Sequence, residues 1–336
     1  MKEKDRRHWI EFLGSLDLTD LHRHMDGSIR PATLWDLSER YYEAIPGMDF
    51  HGFERMLRYD PASDSTLMDY LDKFHIPLQY TQFYGNIRTI AYEIAEDAWH
   101  EGVRLLELRV NPLIHRRAGL TTRQVINATL AGMKEFGKMQ PEMRLGLVII
   151  AMRNHGGNMA KILLREIAGE MEEYHSGPGV VGFDIAGPEP PFPPILFTDA
   201  YALAKKMGLH RTVHVGEADG PDKIWQVVEL LSPDRIGHGT SAGQDQALLR
   251  RLAEDEVLVE CCLTSNLQTG AVSEISEHPL PKFLEYGVPC TLCTDNTTVS
   301  GTSIVKEYLL AIEAFGLGEE EVRRLAAHGH TGSFCR

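Results

Sequence analysis

The sequence contains no apolar run approaching the ~20 residues that a membrane-spanning helix needs. Its first ten residues, Met1 to Ile10, carry charges where a secretory signal would carry an apolar core, so no signal peptide is expected. Cysteine is sparse. The five in 336 residues, Cys261, Cys262, Cys290, Cys293 and Cys335, are odd in number and unevenly spread, unlike a disulfide framework. Basic residues are outnumbered, 34 Lys and Arg against 48 Asp and Glu. The formal net charge of −14 disfavours a nucleic-acid backbone or an anionic membrane as partner. Linkers, low-complexity segments and short repeats are also missing, so residues 1–336 are expected to form one domain. A soluble cytoplasmic protein fits these exclusions, and a small molecule without phosphate is not among the partners excluded.

What is present is an alternation of short apolar runs with helical patterns. Apolar segments occur at about 17–23, at Val103–Arg109 and Leu145–Ala151, at Val180–Asp184 and Arg211–His214, and at Arg235–His238, Val257–Cys261 and Pro289–Asp295. The third is almost continuously apolar, as expected of a strand covered on both faces. Helical patterns lie near 7–15, from Ser28–Pro31 to about 43, 82–100, 121–138, 157–174, 198–207, 222–231, 244–254, 279–286 and 318–327. Asp64-Ser65-Thr66 reads as the cap of a further helix, and residues 44–63 read as irregular. Eight strands with helices between them predict an α/β fold, a single closed parallel (β/α)8 TIM barrel. The connection from the first strand to the second is far longer than one crossover needs and is expected to fold over the barrel mouth as a lid.

Catalytic groups in such barrels stand at the carboxyl ends of the strands. His22 and His24 in Asp20-Leu-His22-Arg-His24-Met-Asp26-Gly27 are two apart, so on a strand both imidazoles face one way. The remaining strand ends contribute Gly187, then His214 with Glu217, then His238, then Asp295 with Asn296. Several imidazoles and a carboxylate at one rim form a nitrogen- and oxygen-rich set for a divalent metal. A bound Zn²⁺ lowers the pKa of its water to roughly 7. Glu217, three residues past His214, can reach that centre without being a ligand and suits proton transfer. His238 can serve either as a ligand or as a group that orients the water.

At these positions the chain resembles the adenosine deaminase family of the amidohydrolase barrels. The matching motifs are Leu21–Gly27, Gly182–Gly187, His214–Glu217, Arg235–Gly239, Thr264–Thr269 and Thr294–Asn296, in the family's order from about residue 16 to 330. The resemblance implies one zinc ion per chain, held by His22, His24, His214 and Asp295. It implies catalytic roles for Glu217, which would protonate N1 of a purine, for His238, which would position the attacking water, and for Asp295, which would take up its proton. Substrate contacts would come from His24, from Asp26 to a ribose hydroxyl, from the Gly187 amide to N3, and from Asn296 to N7. Relatives that act on free adenine usually carry Glu where this chain has Asp26, which favours a nucleoside.

The implied activity is deamination of adenosine or 2′-deoxyadenosine to the inosine product and ammonia. The alternatives are another 6-aminopurine (aminodeoxyfutalosine, methylthioadenosine or adenine) and, from a different class, a catalytically silent purine-binding protein. Two departures stand out. Asn296 replaces an Asp common in the family, although an amide donates to N7 at any pH. The carboxyl-terminal helices look abbreviated. Pro289-Cys290-Thr291-Leu292-Cys293 matches half of a cytidine-deaminase zinc signature, but no H-x-E completes it, so its cysteines read as small buried residues. Leu67, Tyr70, Leu71 and Phe74 recur at helical spacing and are expected to pack, some against the purine. Glu107 and Arg109 read as an internal ion pair or a support at the barrel bottom, and Asp184 as a group that orients the Gly187 loop.

Overall fold

The computed structural model of the chain describes residues 2–41, 48–64, 67–168 and 178–335, without the side chains of Leu67 and Met68. Eight parallel strands run in sequence order around a barrel: β1 (Leu18–His24), β2 (Val103–Val110), β3 (Arg144–Met152), β4 (Gly179–Ala186), β5 (His210–Val215), β6 (Arg235–His238), β7 (Leu258–Cys261) and β8 (Cys290–Leu292). A parallel bridge between Arg23 and Asp295 joins β8 to β1. It is framed by His24 N–H donating to the Asp295 carbonyl and Asp295 N–H donating to the His22 carbonyl, each at 2.8 Å. This is the (β/α)8 fold expected from the alternating pattern. The last strand is shorter than the segment 289–295, which continues past it with Cys293 N–H donating to the Cys261 carbonyl at 2.9 Å, and Asp295 there holds a left-handed φ of 60°. Among the described residues no helix is long and apolar enough to cross a membrane.

Outside the barrel the apolar faces of the helices pack on the strands, with Ile87, Ile90, Ile94 and Val125 among the fully buried residues. The long connection 25–102 holds helices Pro31–Arg40, Phe50–Leu57, Leu67–Asp72, His75–Tyr80 and Tyr84–His100. Phe50–Leu57 falls within the stretch read as irregular. It is capped by Asp49, whose carboxylate accepts from Gly52 N–H at 2.7 Å, a local signal diluted by its Gly- and Pro-rich surroundings. Asp64 accepts from Asp60 N–H at 2.7 Å and pairs with Lys73 at 2.9 Å, while Ser65 and Thr66, read as its capping partners, lie outside the described residues. So do residues 44–47 of the irregular stretch and 169–174 of the helix that is seen as Gly156–Ala168. Helix Ile304–Phe315 was not expected from the sequence, although Ser303 caps it by accepting from Lys306 N–H at 3.3 Å.

The carboxyl-terminal helix Glu319–Thr331 packs on β8 and β1. Gly329 lets it approach β1 and β8 so closely that a Cβ there would lie 1.9 Å from the Thr19 hydroxyl. Residues beyond it turn into the amino end of the barrel. Phe334 stacks on His210 at 4.6 Å between centroids and lies under the Arg235 guanidinium at 3.4 Å. Glu107 Oε1 accepts from Ser333 Oγ at 3.0 Å and from Phe334 N–H at 2.5 Å. Gly146 and Gly182 make the space: added Cβ atoms would meet Cys335 Sγ at 2.5 Å and the Phe334 ring at 2.8 Å. Truncating Phe334 leaves a cavity under Arg235. Phe334→Ala is therefore expected to lower the unfolding free energy by about 3 kcal/mol, measured by urea denaturation.

Candidate active site

Three imidazoles converge at the carboxyl rim. His22 Nε2 and His24 Nε2 are 3.1 Å apart, and His24 Nε2 and His214 Nε2 are also 3.1 Å apart. Asp295 Oδ1 completes the group, 3.3 Å from His24 Nε2 and 3.7 Å from His22 Nε2. All four predicted ligand side chains thus present donor atoms to one small space, drawn from β1, β5 and the end of β8. The three His atoms lie close enough together to hold a single metal ion. Burial pushes His22 and His24 well below the usual imidazole range, aided by neighbouring cations and imidazoles, so both rings are neutral and able to ligate. For His214 burial acts downward too, but the Asp184 carboxylate beside it raises the net value.

Carboxylates beneath the rim fix the other face of these rings. Glu260 Oε2 accepts from His22 Nδ1 at 2.9 Å, which leaves Nε2 free to point at the shared centre. Asp184 Oδ2 is 2.8 Å from His214 Nδ1, angled off the line of a straight hydrogen bond, and its other oxygen accepts from His214 N–H at 3.2 Å. Arg109 ties the two acids together: it donates to Asp184 at 2.5 Å and to Glu260. Arg235 contacts Glu260 at 2.7 Å and donates to Glu107 at 2.5 Å. Glu107 and Arg109 each enter a buried ion pair, as one of the two expected readings has it, but with other partners than each other: Glu107 supports the barrel bottom through Arg235 and the 333–334 turn, and Arg109 pairs with Asp184 and Glu260. Asp184 contacts His214 and Arg109.

The remaining predicted residues surround the imidazoles. His238 lies 4.9 Å from His22 and 5.2 Å from His214 between ring centroids, and its Nε2 is 3.7 Å from Glu217 Oε2. Burial lowers His238 to about 3, so the ring is neutral at pH 7. Burial raises Glu217 above the usual carboxylate range, while the Thr269 hydroxyl, donating at 2.8 Å, and His214 oppose this. His238 and Asp295 both hold positive φ, at 65° and 60°, a strained conformation for non-glycine residues that aims their side chains at the centre. Asp26, half-buried, follows β1, and burial lifts its carboxyl to about 6. Gly187 follows β4 at φ 97°, where a Cβ would press on Met152 at 3.0 Å. Beside Glu217 the rim opens into a cavity of about 440 Å³, bordered by Gly216, Thr240, Gln244 and Gly270.

Asn296 points its amide at Tyr70 Oη (3.1 Å) and Asp295 Oδ1 (2.7 Å), and Tyr70, buried, also meets Ser300 Oγ at 2.8 Å. Tyr70 therefore does more than pack. Three groups in the Thr264–Thr269 motif had no role assigned from sequence. Ser265 Oγ donates to Asp295 Oδ2 at 2.5 Å, Asn266 contacts His238 Nδ1 at 3.0 Å, and Thr269 holds Glu217. Glu260 was also missed, although a carboxylate inside the apolar run Val257–Cys261 is a signal in itself. Cys290 and Cys293 are buried free thiols, as expected of small packing residues.

The family model described as adenosine deaminase matches residues 18–336. The chain is 35% identical over 317 residues to an adenosine deaminase of Clostridium kluyveri, covering 94% of this chain and 89% of that one. It is 36% identical over 324 residues to an adenosine deaminase of Klebsiella pneumoniae, covering 95% and 94%. Among solved structures, the N6-methyl-AMP deaminase of Arabidopsis thaliana superposes with a TM-score of 0.83 at 28% identity, over 97% of this chain and 94% of that one. With the motif order, the barrel and the rim cluster all in agreement, the chain belongs to the adenosine deaminase family.

Proposed function

We propose that this protein deaminates adenosine and 2′-deoxyadenosine hydrolytically, with zinc held by His22, His24, His214 and Asp295. The observation that carries the reading is the convergence of three Nε2 atoms and Asp295 Oδ1 beside His238 and Glu217, in a chain of the adenosine deaminase family. Three imidazoles with one carboxylate suit zinc. When bound, zinc supplies Lewis acidity that lets water ionise near neutral pH.

The chain's own residues supply the rest. Glu217, kept protonated to higher pH by burial, delivers its proton to purine N1 and draws electron density away from C6. Neutral His238, steadied by Asn266, orients the attacking water toward C6. Asp295, with Oδ2 anchored by Ser265, accepts a proton from that water and passes it to the C6 amino group, so that the C6–N bond breaks and ammonia leaves. The Gly187 N–H addresses N3 and Asp26 a ribose hydroxyl, and the Asn296 amide addresses N7 by giving up one of its two bonds, to Tyr70 or to Asp295. The long connection acts as a lid over this rim, a reading supported by Tyr70 reaching Asn296 and Ser300. Partners are expected to be small purine nucleosides. A second reading, deamination of a modified 6-aminopurine, draws on Asn296: its amide already donates to Tyr70 and Asp295, so the N7 edge of the pocket differs from one built on Asp.

Purified protein is expected to hold about one zinc per chain and to shift the ultraviolet spectrum of adenosine toward inosine. Metal-loaded protein that leaves a panel of 6-aminopurine nucleosides unchanged would defeat the reading. Glu217→Gln should retain zinc yet lose turnover by about 100- to 10,000-fold, measured as kcat; near-normal rates would give the proton transfer to another group. Because a ligand that binds only the folded chain stabilises it, stripping the metal with a chelator should lower the melting temperature, and restoring zinc should reverse the loss.

A further inference from the structure

The loop after β4, Pro188-Glu189-Pro190-Pro191-Phe192-Pro193-Pro194, carries one charged residue between five prolines. Glu189 is nonetheless buried, 6% exposed. Its carboxylate accepts from three successive backbone N–H groups of the loop after β5: Gly216 at 2.8 Å, Glu217 at 2.9 Å and Ala218 at 2.9 Å. Successive amides that turn to one side form an anion-binding nest. Gly216 makes this one possible. It sits at φ 76°, and a Cβ there would strike Ile224 at 2.5 Å and Ser241 Oγ at 2.7 Å.

Buried Arg153 braces the same junction. It donates to the Phe192 carbonyl at 2.8 Å and to the His214 carbonyl at 2.7 Å, so it also spans the two loops. Burial raises the Glu189 carboxyl, and the Ala218 and Gly216 amides together with Arg153 counter that. The prolines restrict the loop and limit what ordering it costs.

We propose that Glu189 is a positioning residue for Glu217: it clamps the backbone of the proton donor to the loop that bears Gly187, and so fixes the two groups that address purine N1 and N3 at a set spacing. The proposal rests on the deaminase reading for what Glu217 does, but the clamp itself can be measured without turnover. Charge-assisted bonds to three amides cannot all be reproduced by an amide side chain, which has one acceptor and presents donors on its other side.

The test compares Glu189→Gln and Glu189→Asp with the wild-type zinc-loaded enzyme. Hydrogen exchange by mass spectrometry over 214–220 is expected to speed up about tenfold in Glu189→Gln. On adenosine, kcat should fall about 10- to 100-fold, as for a misplaced catalytic group, with KM, zinc content and inosine affinity within about twofold. Glu189→Asp, which keeps the charge one methylene shorter, should fall between the two, and it carries the test if Glu189→Gln does not fold. Wild-type exchange rates in the variants, unchanged kcat despite faster exchange, or a loss shared equally by kcat, zinc content and inosine affinity would each overturn the proposal. If the wild-type protein deaminates no aminopurine nucleoside, the deaminase reading fails, and with it the role given to Glu217, while the exchange rates alone still decide whether the clamp exists.

Discussion

The interior of the barrel depends on Glu260. Its two oxygens contact the His22 imidazole, two guanidinium groups and the Thr212 hydroxyl, all without solvent. Buried ions are costly unless every charge is paired, and removing one partner of such a set typically costs 3–5 kcal/mol, roughly. The set explains more than stability. Glu107, Asp184 and Glu260 face Arg109 and Arg235, so three carboxylates meet two guanidinium groups and one negative charge is left over. The same contacts hold His22 and His214 in one orientation, so the geometry of the rim is set from beneath it.

Strain at the rim follows the same logic. His238 and Asp295 each keep a left-handed backbone that costs of order 1–3 kcal/mol. Such a conformation persists only where neighbours over-determine it. Asp295 is held by the β1 backbone on both sides and by Ser265 at its carboxylate, and His238 is held by Asn266. The Thr264–Thr269 segment thus supports Asp295, His238 and Glu217 from one short stretch.

Strand order and the imidazole cluster were legible because both rest on short-range rules: apolar runs mark covered strands, and a spacing of two puts His22 and His24 on one face. The interior ion network was not legible. Its partners are 75 residues apart for Arg109 and Asp184, 151 for Arg109 and Glu260, and 238 for His22 and Glu260, so no local pattern joins them. Glu189 was hidden for another reason: its partners are backbone amides of the loop after β5, which no side-chain pattern marks, and only the fold brings them to it. The helix Phe50–Leu57 was obscured by the Gly, Pro and Asp residues around it.

The turn of chain at 332–335 has a further effect. With Phe334 and Cys335 seated against Gly146 and Gly182, the amino end of the strand ring is stoppered. The interior above it is already filled by Glu107, Arg109, Arg235 and Glu260, so the seated tail finishes a solid core whose opposite end is the rim. Anything that enters must depart over the same lip, so arrival and release take turns at one doorway, and whatever covers that lip governs both.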